Sequence, residues 1–149
     1  MATKWLTPKE MDAWRIYIET YGDLVNAIER DLDDHDITLG DYQVLVYLSE
    51  TDGRALRMCD LADRLQLSPS GLTRRLDGLV SEGYVVREPS TVDRRVMMAK
   101  LTDAGFETLR EAAPHHVDSV RRHIFDHLDD DQVEAMASIF TAISNGLAE

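Results

Sequence analysis

A segment in the middle of the chain limits it to few folds. Residues 58–65 have the apolar spacing of a short helix, and Ser68-Pro69 begins a second helix that ends at Gly83. Residues 84–88 and 96–101 are β-type runs joined by a polar, turn-rich stretch. Two short helices followed by a hairpin predict a winged helix-turn-helix if the second helix presents polar side chains outward.

The second of these helices meets that condition. At about 100° per residue, its apolar residues fall on one side, and its outer side carries Ser70, Arg74, Asp77, Gly78 and Ser81. Ser70 and Thr73 are short donors near the helix start, where recognition helices meet base edges, and Arg75 flanks them within reach of a phosphate. Gly71 and Gly78 are unfavourable inside a helix, and a close approach of another backbone would explain them.

Charge separates this segment from the rest of the chain. Residues 54–101 contain nine Arg or Lys and six Asp or Glu, whereas the other residues contain seven basic and 22 acidic side chains. The net charge is −12 and the isoelectric point is near 4.7, which alone would argue against nucleic acid. Because a polyanion is attracted to the basic segment and repelled elsewhere, we expect DNA to approach from one side.

The hairpin tip carries the sequence Asp93-Arg94-Arg95. Two guanidinium groups at a turn suit the narrow, electronegative minor groove, and Asp93 can hold Arg95 in one rotamer. The alternative is an amphipathic surface helix with solvated arginines, which leaves the hairpin unexplained. We therefore predict the DNA-binding residues to be Ser68, Ser70, Thr73, Arg74, Arg75, Asp93, Arg94 and Arg95.

Five motifs occur in order: Leu61-Ala62-Asp63-Arg64-Leu65, Leu67-Ser68-Pro69-Ser70-Gly71-Leu72-Thr73-Arg74, Leu79-Val80-Ser81-Glu82-Gly83-Tyr84-Val85, Asp93-Arg94-Arg95 and Leu101-Thr102-Asp103-Ala104-Gly105. This set resembles the multiple-antibiotic-resistance regulator (MarR) family of bacterial transcription factors over nearly the whole chain. The resemblance implies an obligate homodimer whose first and last two helices intertwine. It also implies that the second short helix enters the major groove, and that Arg95, oriented by Asp93, enters the minor groove.

The expected fold is mainly α with a small β-hairpin wing. We expect residues 38–102 to form the DNA-binding region, and residues 1–37 and 103–149 to form dimerisation helices. The long apolar stripes of the flanking helices also suit an intramolecular bundle. A homodimer is favoured because two-fold assembly is the commonest and matches palindromic DNA.

The predicted function is a ligand-responsive repressor that binds double-stranded DNA at a palindromic operator. The alternative is a winged-helix module that binds an acidic protein partner instead of DNA. An enzyme is not expected, because no nucleophile with an ordered base, phosphate loop or strong metal motif occurs, and we expect no cofactor. Short apolar runs and the lack of a secretory signal predict a cytoplasmic protein without a membrane segment.

The resemblance implies an effector that is a small aromatic acid or phenol. Candidate lining residues are Trp14, Tyr17, Tyr21, Tyr42 and Tyr47, although aromatic residues at helical spacing also occur as simple core.

Two further features permit sensing roles. Cys59, the single cysteine, invites a peroxide-sensor hypothesis, but a small buried residue is the favoured interpretation. The fifth predicted helix carries four histidines: His115, His116, His123 and His127. They could form a zinc site, but a solvated helix face is favoured because no cysteine thiolate accompanies them.

Overall fold

The computed structural model describes residues 3–148, which form six α-helices and a small antiparallel sheet. The predicted fold class is confirmed. The helices are α1 (Pro8–Leu32), α2 (Leu39–Ser49), α3 (Met58–Leu65), α4 (Pro69–Ser81), α5 (Asp103–His123) and α6 (Asp130–Leu147). The strands are β1 (Ala55–Arg57), β2 (Val85–Pro89) and β3 (Met97–Leu101), in the spatial order β1-β3-β2.

Side-chain caps determine where several helices begin. At the start of α1 the Thr7 N–H donates to Glu10 Oε2 at 2.7 Å, and the Glu10 N–H donates to Thr7 Oγ1 at 3.3 Å. This reciprocal pair of hydrogen bonds is a capping box, and the same capping box is found at the start of α2, at Thr38, and at the start of α6, at Asp129. Because each box satisfies amides that have no partner inside the helix, a short polar motif suffices to place the helix start.

Strand β1 was not predicted from the sequence. Its three residues pair antiparallel with β3, with Ala55 opposite Lys100 and Leu56 opposite Ala99. Three residues are too few to show the alternation that identifies a strand. The hairpin strand β3 therefore becomes the centre of a three-stranded sheet.

The apolar spacing of Val117, Val120, Ile124 and Leu128 predicts a fifth helix that runs to about Leu128, and this predicted end is wrong. Helix α5 ends at His123, and Ile124 has φ −124° and ψ −72°, outside the helical region. A single 3-10 turn, Phe125–His127, follows. Leu128 and Asp129 are extended, which lets the Asp129 side chain cap α6, so this cap requires the chain to leave the helical conformation before it.

The chain divides into two compact units, which we call the central unit (Asp31–His115) and the terminal unit (residues up to Arg30 and from His116 onward). The central unit contains the hydrophobic core, a cluster of buried side chains between Leu32 and Ala112. Leu45, Leu48, Leu61, Leu72 and Leu76 are among its largest fully buried members. Burying these side chains holds α2, α3, α4 and the sheet together.

The terminal unit is different, since Ile28 and Ser119 are its only buried residues within the described range 3–148. Helix α6 has no buried residue. Of the sixteen large apolar side chains exposed in the described part of the chain, thirteen belong to this unit. Among residues 3–148, no helix is both long enough and apolar enough to cross a membrane.

Candidate nucleic-acid interface

Helix α4 separates apolar and polar side chains as predicted. Leu72, Leu76 and Leu79 are buried in the core of the central unit. The outer side exposes Ser70, Thr73, Arg74 and Asp77. The helix therefore presents a polar surface on a firmly packed support.

The predicted hydroxyl donors lie at the start of α4. Ser68 caps the helix, because its Oγ accepts the Gly71 N–H at 3.1 Å and lies 3.2 Å from the Ser70 hydroxyl oxygen. The Thr73 hydroxyl donates to the Pro69 carbonyl at 3.0 Å. All three hydroxyls thus make local hydrogen bonds while remaining on the exposed surface.

The structure assigns different surroundings to the two arginines of α4. The Arg74 side chain is exposed and makes no hydrogen bond or ion pair with any residue between 3 and 148. Arg75 instead donates to Thr38 Oγ1 at 3.0 Å and lies 3.5 Å from Asp41 Oδ1. A Cβ atom on Gly40 would lie 2.5 Å from the Arg75 guanidinium carbon, so the absence of a side chain at Gly40 makes room for the Arg75 guanidinium. Arg75 joins α4 to the start of α2, whereas the Arg74 guanidinium has no partner among residues 3–148.

A contact between α4 and β2 is not predicted by the sequence. Arg87 Nη2 donates to Asp77 Oδ1 at 2.7 Å and to the Thr73 carbonyl at 2.9 Å. The sequence contains no signal for this pair, because ten residues and a turn separate Asp77 from Arg87. The contact connects the wing to the outer side of α4.

The segment between β2 and β3 folds into a defined tip. The Ser90 N–H donates to the Val96 carbonyl at 2.8 Å, and the Val96 N–H donates to the Asp93 carbonyl at 2.9 Å. Asp93 accepts the Arg95 backbone N–H at 3.0 Å, and its two oxygens accept the Arg95 Nε–H and Nη2–H at 3.2 Å each. This fork leaves the Arg95 side chain 91% exposed, and Arg94 is also exposed.

The fork changes the acidity of Asp93. Hydrogen bonds from the Arg95 side chain and then from its backbone lower the pKa of Asp93 from its ordinary value of 3.8. A lowered carboxyl pKa means that the contact contributes above the ordinary pKa and is lost only as the pH falls through the lowered pKa. Asp93 is therefore ionised, and can accept these hydrogen bonds, throughout the neutral range.

The two glycines of α4 have different surroundings. A Cβ atom on Gly71 would lie 3.1 Å from Ser68 Oγ, whereas a Cβ atom on Gly78 would meet nothing within 4 Å. We expect Gly78→Ala to raise the free energy of unfolding by about 1 kcal/mol, because alanine loses less backbone entropy in a helix. Urea denaturation measures this change, with Gly71→Ala as the matched control. An equal gain in the free energy of unfolding in both variants would show that a Cβ atom on Gly71 does not disturb the Ser68 cap.

The five aromatic residues predicted to line a ligand pocket lie in separate units. Trp14, Tyr17 and Tyr21 follow one another along α1 in the terminal unit, with ring centroids 6.0 Å apart in each adjacent pair. Tyr42 is buried in the core of the central unit and Tyr47 packs against that core, where burial raises the pKa of Tyr42.

The terminal unit contains a cavity of about 880 Å³. Its wall includes Tyr17, Tyr21 and Phe140, and the Tyr17 and Phe140 ring centroids are 6.2 Å apart. Trp14 contacts Tyr17 but does not line the cavity. The polar lining residues are Thr20, Asp23, Arg30, His123 and His127.

The interpretation of Cys59 as a buried residue is wrong. Its side chain is exposed in the first turn of α3, and its Sγ lies 3.7 Å from Asp60 Oδ1. The apolar stripe of α3 is carried by Leu61 and Ala62, which turns the cysteine to the surface.

The four histidines of the fifth helix region do not form one group. The His115 ring lies 4.8 Å from the His35 ring in the central unit, whereas His123 and His127 line the cavity of the terminal unit. Burial lowers the pKa of His116. Within the described residues, no three His, Cys, Asp or Glu side chains are placed to hold a metal ion.

Known proteins share this arrangement of helices and wing. A sequence profile of the MarR family matches residues 35–96. AbsC, a MarR family transcriptional regulator from Streptomyces coelicolor, is 39% identical, with a TM-score of 0.93 over 98% of this chain and 99% of AbsC. The chain belongs to the MarR family.

Two further MarR-type proteins extend the comparison. Sco3205, a MarR family regulator from Streptomyces coelicolor solved in complex with DNA, is 36% identical, with a TM-score of 0.94 over 99% of this chain and 93% of Sco3205. The transcriptional repressor YetL of Bacillus subtilis is 26% identical over 70% of this chain, and the match spans 65% of YetL. The resemblance drawn from the five sequence motifs is confirmed, and the protein is a MarR family transcriptional regulator.

Proposed function

We propose that this MarR family protein is a homodimeric repressor that binds a palindromic operator in double-stranded DNA. The observation that carries the proposal is the placement of exposed arginines on two structured supports of one unit. Arg74 extends from a helix anchored in the core, and Arg94 and Arg95 extend from a hydrogen-bonded tip. The likeness to Sco3205, which was solved with DNA, supports the same conclusion.

The two supports suit different parts of a duplex. A helix with short polar residues and a free arginine fits the major groove, where a guanidinium can donate two hydrogen bonds to guanine. An arginine at a narrow hairpin tip fits the minor groove, whose negative potential is strongest where it is narrow. Asp93 would restrict the Arg95 rotamers before binding, so less side-chain entropy is lost on contact.

The surface of the terminal unit supports a homodimer. Its exposed apolar side chains include Ile139, Ile143 and Leu147 of α6 and Ile16 and Ile18 of α1. A monomer rarely exposes so many large apolar groups on adjacent helices, and a second copy would remove them from water. Two copies related by a two-fold axis would present two reading surfaces to the half-sites of a palindrome.

The cavity of the terminal unit supports an effector that is a small aromatic acid or phenol. Its volume suits a small molecule, Tyr17 and Phe140 offer ring faces, and Arg30 offers a cation to a carboxylate. We expect 4-hydroxybenzoate to weaken operator binding by the wild type, and Phe140→Ala to reduce that response. Fluorescence anisotropy with labelled operator measures both. An identical response in the two proteins would exclude this cavity as the effector site.

Selection from random duplex DNA tests the main proposal. The bound fragments should contain a palindrome, the complex should contain two copies by sedimentation, and binding should survive excess random competitor DNA. A protein-interaction module would select no sequence and would bind an acidic protein instead. The proposal would be refuted if the protein were monomeric and selected no DNA sequence even at low salt.

The wing makes a separate prediction. We expect Arg95→Ala to lower operator affinity and to reduce the slope of log affinity against log salt by about one, because one phosphate-proximal charge is lost. Asp93→Asn is the matched control, since it keeps the arginine while it removes the carboxylate charge and weakens the fork, so its salt slope should not fall below that of the wild type. Filter binding across a salt series measures both slopes, and unchanged affinity in Arg95→Ala would remove the wing from the interface.

A further inference from the structure

Asp77 lies on the outer side of α4 in a position that the DNA-binding proposal leaves without a role. It follows Arg74 by three residues and Thr73 by four, and these spacings place side chains on the same face of a helix. Its side chain is 60% exposed. An acid at this place would ordinarily oppose the approach of a polyanion.

Arg87 neutralises the charge of Asp77 and orients its carboxylate. Its Nη2 donates to Asp77 Oδ1 at 2.7 Å and also to the Thr73 carbonyl at 2.9 Å, so the guanidinium is held against the backbone of α4. The Arg87 side chain is only 28% exposed, and its Nε is buried. The pair carries no net charge, and Asp77 Oδ2 accepts no hydrogen bond from any residue in the range 3–148.

A carboxylate oxygen in this position can only accept a hydrogen bond. In the major groove the exocyclic donors are cytosine N4 and adenine N6, and adenine places the acceptor N7 beside its donor. Guanine presents only the acceptors O6 and N7, which would repel a carboxylate. The chemistry of the groove therefore selects cytosine.

We propose that Asp77 is a specificity-determining residue that accepts a hydrogen bond from N4 of one cytosine in each half-site and excludes guanine there. Arg87 is its positioning residue, because it holds one carboxylate oxygen and leaves the other without a partner among residues 3–148. This inference rests on the proposed DNA binding through α4.

Base preference measured by random-DNA selection tests the role of Asp77. The wild type should select a palindrome with one cytosine per half-site whose replacement by guanine weakens binding about tenfold. Asp77→Ala should lose discrimination at that base pair alone. Asp77→Asn should shift the preference toward adenine, which an amide pairs with through both N6 and N7. Arg87→Gln should weaken the cytosine preference, because the Asp77 carboxylate loses the group that orients it.

Asp63→Asn is the matched control, because it removes one exposed carboxylate from the neighbouring helix α3. It should keep the wild-type base preferences, and melting temperatures should show that each variant is folded. If neither Asp77 variant changed the base preference at any position of the selected palindrome, the inference would be overturned and the proposed function would stand. A wild type that selects no sequence would instead refute the proposed function and the inference with it.

Discussion

Gly105→Ala should lower the free energy of unfolding by about 3 kcal/mol, because a Cβ atom at this position cannot be accommodated. It would collide with the Tyr84 carbonyl oxygen and would lie 2.8 Å from Leu101 Cδ1. The obstacle is backbone, and it cannot move easily: the Tyr84 carbonyl also accepts the Thr102 N–H at 3.0 Å. Urea denaturation followed by circular dichroism measures the loss.

The surroundings of Gly105 explain why so small a change should matter. The Thr102 hydroxyl donates to the Gly83 carbonyl at 2.7 Å and accepts the Gly105 N–H at 3.0 Å, so it joins the end of the sheet to the start of α5. Ala104→Ser, one residue earlier and exposed, is the control and should change stability by less than about 0.5 kcal/mol. Equal stability of Gly105→Ala and the wild type would show that this junction is loosely packed.

Arg74→Ala should reduce operator affinity by about 2 kcal/mol, or about thirtyfold, and should relax base preference at one position in each half-site. The reason is that the Arg74 guanidinium makes no hydrogen bond or ion pair within residues 3–148, so it can form two hydrogen bonds to a guanine. Anisotropy titrations against the selected operator and single-base variants measure both effects.

Arg64→Ala is the matched control for Arg74, since it removes the same charge from an exposed position on α3. Its effect should be smaller and equal for all sequences, as expected for a charge that acts only through the phosphates. If both variants lost affinity uniformly, Arg74 would contribute charge without reading a base.

Local signals in the sequence predicted much of the fold. Reciprocal caps at Thr7, Thr38 and Asp129 start three helices, and each cap pairs with a polar residue three positions later in the sequence. Gly83 adopts a positive φ of 76° after α4. The burial of Leu72 and Leu76 follows from helical spacing alone. These features were predictable because each depends on residues within one or two turns of one another.

Other features were outside the reach of such signals. Strand β1 exists only because β3 pairs with it, and the exposure of Cys59 depends on which face of α3 the core covers. The aromatic residues predicted to bind a ligand belong to different units: Tyr42 and Tyr47 pack with the core of the central unit, whereas Tyr17 and Tyr21 line the cavity of the terminal unit. Each outcome depends on segments far apart in the chain.

The sequence by itself determined the helix boundaries set by caps, the polar side of α4, the Asp93–Arg95 tip and the family. Only the tertiary structure decided which arginines are free, because a guanidinium takes whatever acceptor folding brings near it. Arg75 is held by Thr38 and Asp41, and Arg87 is held by Asp77 and the Thr73 carbonyl. Arg74 meets no such acceptor in the described part of the chain and remains available to DNA.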